Sequence, residues 1–240
     1  MAYQAVCCRK EIKYLLSERQ LAALSPVLEE HMEPDAFPSS TISNLYYDTP
    51  DFRLIRRSLQ KPDYKEKLRL RCYQVPREDG EAFLEIKKKV TGVVYKRRAE
   101  LPYARALAYL AGQEKGGDSQ IFHELDWMLR RYGSLAPAMY LSYDRVSLKG
   151  REQPSLRLTV DRNILWRTEC LDLAAGAWGE ELLRPEQRLM EIKIPNAMPL
   201  WLADSLSQLG IFPAGFSKYG AAYQTMLGRR MSHQEVEKYA

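Results

Sequence analysis

Polar and apolar residues alternate over several short stretches of this chain, and the polar partners are mostly cationic. In Lys65-Glu66-Lys67-Leu68-Arg69-Leu70-Arg71, the residues Lys67, Arg69 and Arg71 share one face, and Leu68, Leu70 and Cys72 the other. A period of two predicts a β-strand with two unlike faces. The pattern returns at Glu85-Ile86-Lys87-Lys88-Lys89, Lys96-Arg97-Arg98, Ser155 to Asp161 and Glu191-Ile192-Lys193-Ile194. Elsewhere the period lengthens to that of a helix. Ile121, Phe122, Leu125, Met128 and Leu129 form one apolar stripe between Ser119 and Tyr132.

Along the chain these signals predict a strand over Cys7 to Leu16, with Arg9, Glu11 and Lys13 on one face. Ser17 then caps a helix reaching Glu30. Pro34 to Ser40 reads as a loop and Thr41 to Asp48 as a strand. A short helical piece spans Phe52 to Leu59. Strands follow over Tyr64 to Gln74, Ala82 to Lys89 and Val93 to Leu101, the last two joined through Thr91-Gly92. Helices are expected over Tyr103 to Ala111 and Ser119 to Tyr132. Strands come next over Met139 to Lys149 and Ser155 to Asp161, with a separate short strand over Ile164 to Cys170. Leu171 to Pro185 reads as a loop, Arg188 to Ile194 as the last clear strand, and Pro199 to Leu209 and Tyr219 to Arg230 as helices. The final ten residues look frayed. The sum is about eight strands, mostly antiparallel neighbours, with helices between them and no linker that splits residues 1–240.

Composition adds exclusions. Of 240 residues, 45% are hydrophobic and 28% charged, as in ordinary globular proteins, and the net charge is only +5. The cations are therefore clustered rather than abundant. No stretch approaches the ~20 apolar residues of a membrane span. Met1 to Lys13 has no apolar h-region, which reads as lacking a secretory signal. Cys7, Cys8, Cys72 and Cys170 form no Cys-x-x-Cys pair, and His31, His123 and His233 lie far apart, so a zinc framework or Ser-His-Asp triad is not expected. The cysteine usage points to the reducing cytoplasm.

Period two does not say which face is inside. Outward bases around a leucine core is the conventional arrangement. A solvated face normally mixes both signs, however, while these faces are biased to Lys and Arg on at least five strands. Several amphipathic helices also need apolar partners, which outward leucines would provide. The inverted arrangement is then competitive: a barrel with a charged lumen inside a jacket of helices. Such a lumen needs anions, because unpaired buried charge costs several kcal/mol. Phosphates suit it, since Arg binds their oxygens in a bidentate way and Lys adds point charge.

A run of nine pieces carries a family likeness. They are Arg9-Lys10-Glu11-Ile12-Lys13-Tyr14, Asn44-Leu45-Tyr46-Tyr47-Asp48-Thr49, Lys67-Leu68-Arg69-Leu70-Arg71, Phe83-Leu84-Glu85-Ile86-Lys87, Tyr95-Lys96-Arg97-Arg98, Tyr143-Asp144-Arg145, Leu156-Arg157-Leu158-Thr159-Val160-Asp161, Leu189-Met190-Glu191-Ile192-Lys193 and Phe216-Ser217-Lys218-Tyr219. In this order, over residues 9–228, they resemble the VTC domain. That domain is the polyphosphate polymerase of the vacuolar transporter chaperone complex, within the triphosphate tunnel metalloenzyme superfamily.

The resemblance implies an α+β fold: an eight-stranded antiparallel β-barrel tunnel with a basic lumen, surrounded by helices. It implies phosphate contacts from Lys13, Arg69, Arg71, Lys87, Lys96, Arg145, Arg157 and Lys218; Arg9, Arg98, Lys193 and Ser217 are further candidates for binding substrate. Glu191 would hold a metal, Mn2+ or Mg2+. The implied activity transfers the terminal phosphoryl group of ATP to inorganic polyphosphate or pyrophosphate. The expected partners include no nucleic acid and no membrane segment in this chain, though separate membrane proteins could associate. The superfamily's opening Glu-x-Glu-x-Lys has Arg9 in place of its first acid here, which weighs against the alternative of a tripolyphosphate or nucleoside triphosphate hydrolase. A non-enzymatic polyphosphate-binding module is the other alternative.

Overall fold

The computed structural model describes residues 10–91, 93–195 and 197–239, with side chains through Arg229. Cys7, Cys8, Arg9 and Gly92 lie outside the described residues, so the expectations placed on them are not addressed. The strands are β1 (Lys10–Ser17), β2 (Met32–Asp48), β3 (Tyr64–Cys72), β4 (Glu81–Val90), β5 (Val93–Pro102), β6 (Ala136–Gly150), β7 (Arg157–Arg167), β8 (Glu180–Glu181) and β9 (Gln187–Ile194). The helices are α1 (Glu18–His31), α2 (Arg53–Leu59), α3 (Tyr103–Leu110), α4 (Gln120–Tyr132), α5 (Leu200–Gln208) and α6 (Lys218–Tyr239).

All strand pairings are antiparallel, in the order β1-β9-β7-β6-β2-β3-β4-β5, with β8 paired to β7. The expected eight strands are the main path. The barrel, however, is not closed by hydrogen bonds, because β1 and β5 end the path at opposite edges. The sheet curls instead, and side chains bridge the gap. Lys87 on β4 reaches Glu11 on β1 at 3.1 Å. Residues 213–214 line the open edge of β1, where the Ala214 N–H donates to the Lys13 carbonyl at 2.7 Å.

The leucine faces point outward, as the inverted arrangement requires. Leu68, Leu70, Leu84, Ile86, Ala99 and Leu101 pack with Ala106, Tyr109, Leu125 and Met128 of α3 and α4. Tyr14, Leu16, Leu158, Met190 and Ile192 pack with Leu24 and Leu28 of α1 and Leu202 and Leu206 of α5. Burying each such aliphatic side chain stabilises the fold by roughly 1.5–3 kcal/mol. Helix α1 begins as expected at Ser17, whose hydroxyl accepts from the Gln20 N–H while Gln20 Oε1 accepts from the Ser17 N–H.

A third core lies on the concave side. Ile42, Tyr46, Met139, Leu141, Ile164, Trp166 and Leu189 meet Ile55 of α2 and Tyr219, Ala222, Tyr223 and Met226 of α6. These two helices cover the apolar stretch of the inner face. Asp48 ties them to β2. Its carboxylate accepts from the Leu54 and Ile55 N–H groups of α2, from the Thr49 N–H and from the Tyr219 hydroxyl.

Four boundaries differ from expectation. Pro34 to Ser40 belongs to β2 rather than to a loop, because Pro34 and Ser39 both pair with β6 around a register shift. Ile164 to Arg167 continues β7 rather than forming its own strand. Asn163 there has φ 50, and the register slips beside it. Asparagine tolerates this left-handed conformation, and the irregularity puts Ile164 and Trp166 on the same face as Asp161. Leu171 to Pro185 contains the two-residue β8. Helix α6 also continues to Tyr239, past the expected end at Arg230.

Removing the Asp48 carboxylate strands three buried N–H donors and the Tyr219 hydroxyl. Asp48→Ala is expected to lower the unfolding free energy by about 2–5 kcal/mol, measured by urea denaturation. A change below about 0.5 kcal/mol would mean that the carboxylate does not hold α2 and α6 in place.

Candidate functional site

The charged stretch of the inner face converges on two buried carboxylates. Glu85 on β4, 1% exposed, meets four cations from two neighbouring strands. Arg69 Nη2 lies 2.6 Å from Oε2, and Arg71 Nε 3.8 Å from the same oxygen. Lys96 Nζ and Arg98 Nη2 lie 2.7 and 2.6 Å from Oε1. Register explains the convergence. Glu85 pairs directly with Arg69 on one side and Arg98 on the other, so all three side chains share a row. Burial pushes the Glu85 carboxyl up, but the four cations outweigh it and hold the group far below the ordinary carboxylate range. Burial pulls the Lys96 ammonium down to about 8, against the opposing pull of Glu85.

Asp161 on β7, also 1% exposed, is the second anchor. Arg145 on β6 binds it through two nitrogens, at 2.6 and 2.8 Å, and Lys218 of α6 donates to its Oδ2. Burial raises the Asp161 carboxyl, and Lys218 with Arg145 lower it further than burial raises it. Arg71 links the two clusters. Its Nε donates to Asn44 Oδ1 at 2.9 Å and its Nη2 to the Tyr143 hydroxyl at 3.1 Å. Burial alone would raise the Tyr143 phenol, but Arg71, Arg145 and Lys218 draw it down to about 7.

The third group lies across β1 and β9. Glu191 is held by Lys193 at 3.0 Å and Lys13 at 3.7 Å, and Lys13 Nζ also donates to the Phe216 carbonyl. Burial raises the Glu191 carboxyl, but Lys193, Lys13 and Arg145 bring it well below its usual range. Thr159, its register partner on β7, carries a buried hydroxyl with no hydrogen-bond partner among the described residues. Ser217 precedes α6, and its hydroxyl accepts from the Gly220 N–H and from Lys67 Nζ.

The structure thus gathers Lys13, Arg69, Arg71, Lys87, Lys96, Arg98, Arg145, Lys193, Ser217, Lys218 and Glu191 on one concave face. Arg157 stands apart. It is 45% exposed at the rim and held by Asp35 at 2.5 Å, rather than paired with Asp161. Arg145 likewise pairs with Asp161 and not with its neighbour Asp144, which serves Thr41 and Asn163. The sequence reading gave no role to Lys67 or Tyr143. Lys67 was legible from its face, shared with Arg69 and Arg71. The Tyr143 hydroxyl contact needed the fold. Among the described residues no three His, Cys, Asp or Glu side chains converge as a metal cage, and no helix is long and apolar enough to cross a membrane.

Comparison with known proteins agrees with this geometry. The family model of the VTC domain matches residues 8–227. Among solved structures, a candidate adenylate cyclase from Bacillus halodurans superposes with a TM-score of 0.55 at 15% identity, covering 89% of this chain and 96% of that one. A candidate adenylyl cyclase from Hippeastrum, described as revealing a dominant triphosphatase activity, gives a TM-score of 0.52 at 18% identity, covering 90% and 95%. At these identities the likeness is one of fold, the curled antiparallel tunnel. No match was found among curated proteins.

The depressed carboxylates set a pH dependence. Their folded values lie below the unfolded ones of about 4, so their stabilisation is complete above about pH 5 and is lost as pH falls further. Glu85→Gln leaves four cations without their shared anion. It is expected to lower stability at pH 7 by roughly 3–5 kcal/mol and to flatten the fall between about pH 5 and pH 2. Urea titrations across pH check both; an unchanged midpoint at pH 7 would contradict the assignment.

Proposed function

The chain belongs to the VTC domain family, and from that premise we propose that it is a metal-dependent polyphosphate polymerase. It would transfer the terminal phosphoryl group of ATP to the end of an inorganic polyphosphate chain or to a pyrophosphate primer. The observation that carries this reading is the surplus of positive charge on the concave face. Around Glu85 alone, four cations face one carboxylate. Further lysines and arginines on β1, β4, β6, β9 and α6 extend the row on the same face. A string of phosphoryl groups matches that row in charge and shape.

The chemistry asks for no covalent nucleophile. Phosphoryl transfer depends on in-line alignment and on neutralising charge spread over the equatorial oxygens. Arg69 and Arg71, two residues apart on β3, would grip successive phosphates with guanidinium forks. Lys13, Lys87 and Lys96 would supply point charges. Ser217 and the first N–H groups of α6 suit a terminal phosphate, because a helix start favours anions. The buried carboxylates keep these donors preorganised, so little reorganisation remains for the transition state.

Glu191 is the residue that would hold Mn2+ or Mg2+. It fits as a single carboxylate ligand shared with substrate, since magnesium-like ions take one or two carboxylates together with phosphate oxygens and water. The ion would add charge neutralisation on phosphate oxygens.

Incubation with ATP and Mn2+, followed by a polyphosphate-stained gel, is expected to show a ladder. Free phosphate without a ladder would instead support hydrolysis, and binding without turnover a storage or sensing module. Lys87→Ala is the cleaner variant, because Lys87 is 44% exposed and its loss leaves no buried charge. It is expected to cut ladder formation by about 10²-fold with an unchanged unfolding midpoint. Arg69→Ala would also weaken the fold through Glu85. Full activity in Lys87→Ala would count against the site.

A further inference from the structure

Lys67 differs from every other cation placed on the inner face above. Each of those has a carboxylate within 4 Å, whereas Lys67, among the described residues, has none. Its Nζ donates to the Ser217 hydroxyl at 3.0 Å and sits 5.9 Å from the Tyr219 ring, beside the start of α6. The groups around it are cationic from each side. Lys13 faces it from β1, Lys87 from β4, and Lys65 and Arg69 from its own strand. Glu11 and Glu191 are taken by Lys87 and Lys13, and Asp48, on the neighbouring strand β2, by the Thr49, Leu54 and Ile55 N–H groups and the Tyr219 hydroxyl.

We propose that Lys67 is a further phosphate ligand of the lumen, and that it takes up a proton when the anion arrives. The proposal rests on the reading of the lumen as a phosphate channel. In the ligand-free protein, a charged ammonium at this position would be repelled by its neighbours with no anion to offset them. Burial, and then the surrounding cations, pull its pKa down to about 7. A phosphate oxygen beside Ser217 supplies the missing counter-charge. The ammonium is then the favoured form, and the proton comes from solvent. The sign follows from linkage: a group whose pKa is raised by binding makes the affinity fall as pH climbs above the free value. This contribution approaches about tenfold per pH unit above pH 7, until the bound value is reached.

The test uses inorganic tripolyphosphate without metal, titrated calorimetrically at pH 8 in buffers of different ionisation enthalpy. Tyr143 and Lys96, at about 7 and 8, also titrate in this window, so the difference from a permanently charged variant isolates Lys67. Wild type is expected to take up close to one proton more than Lys67→Arg, and Lys67→Arg to bind with a flatter pH dependence between about pH 7 and 9. Equal uptake in the two proteins overturns the assignment to Lys67. Absence of tripolyphosphate binding by wild type is a different failure, and removes the phosphate-channel reading itself.

Discussion

Like charges forced together are the constraint around which this molecule is built. Lysines and arginines from β1, β3, β4, β5, β6, β9 and α6 share one concave face. At separations of a few ångströms they repel one another strongly once water is excluded. Glu85 and Asp161 make the arrangement tolerable. Each is almost wholly buried and each binds more than one cation. Neither neutralises its neighbourhood. The inner face therefore remains positive and holds its donors in place, which is the state that favours a polyanion.

That constraint explains the inverted sheet. Because the polar faces turn inward, the leucine faces turn outward, and four helices must cover them. The two remaining helices enter the concave side and cover its apolar stretch. Helix α6 serves both purposes. Its aromatic residues pack on the sheet, and its first residue, Lys218, reaches Asp161. Tyr46 shows how closely the two are joined: it stacks on Tyr219 at 4.4 Å and accepts a hydrogen bond from Arg69 at 3.2 Å. Packing of the C-terminal helix and placement of the charged donors are thus coupled, and loss of one disturbs the other.

Much of the fold was legible because a period of two is local information. The alternation in β3, β4 and β9 told which residues share a face, and the side chains do share it. Ser17 announced the start of α1 through a contact three residues away. Other features escaped for a physical reason. Pro34 and Pro38 read as a loop, yet Pro34 and Ser39 pair with β6 on either side of a register shift. Asn163 reverses side-chain parity within β7, which no count along the chain reveals. Arg157 shares parity with Asp161 but is held by Asp35, which lies 122 residues earlier in the chain.

By itself the sequence determined which faces are basic, which are greasy, and where most strands and helices begin, since each depends on residues a few positions apart. It left the choice of inside and outside open, because period two is symmetric. Only the tertiary structure decided that choice, along with the pairing of carboxylates and cations and the failure of β1 and β5 to join. Those outcomes depend on register between distant strands and on where α2 and α6 find room. Lys67 carries the same lesson. Its charge was plain from the chain, but only the fold shows that, among the described residues, no carboxylate lies within 4 Å of it, while Glu11 and Glu191 pair with Lys87 and Lys13.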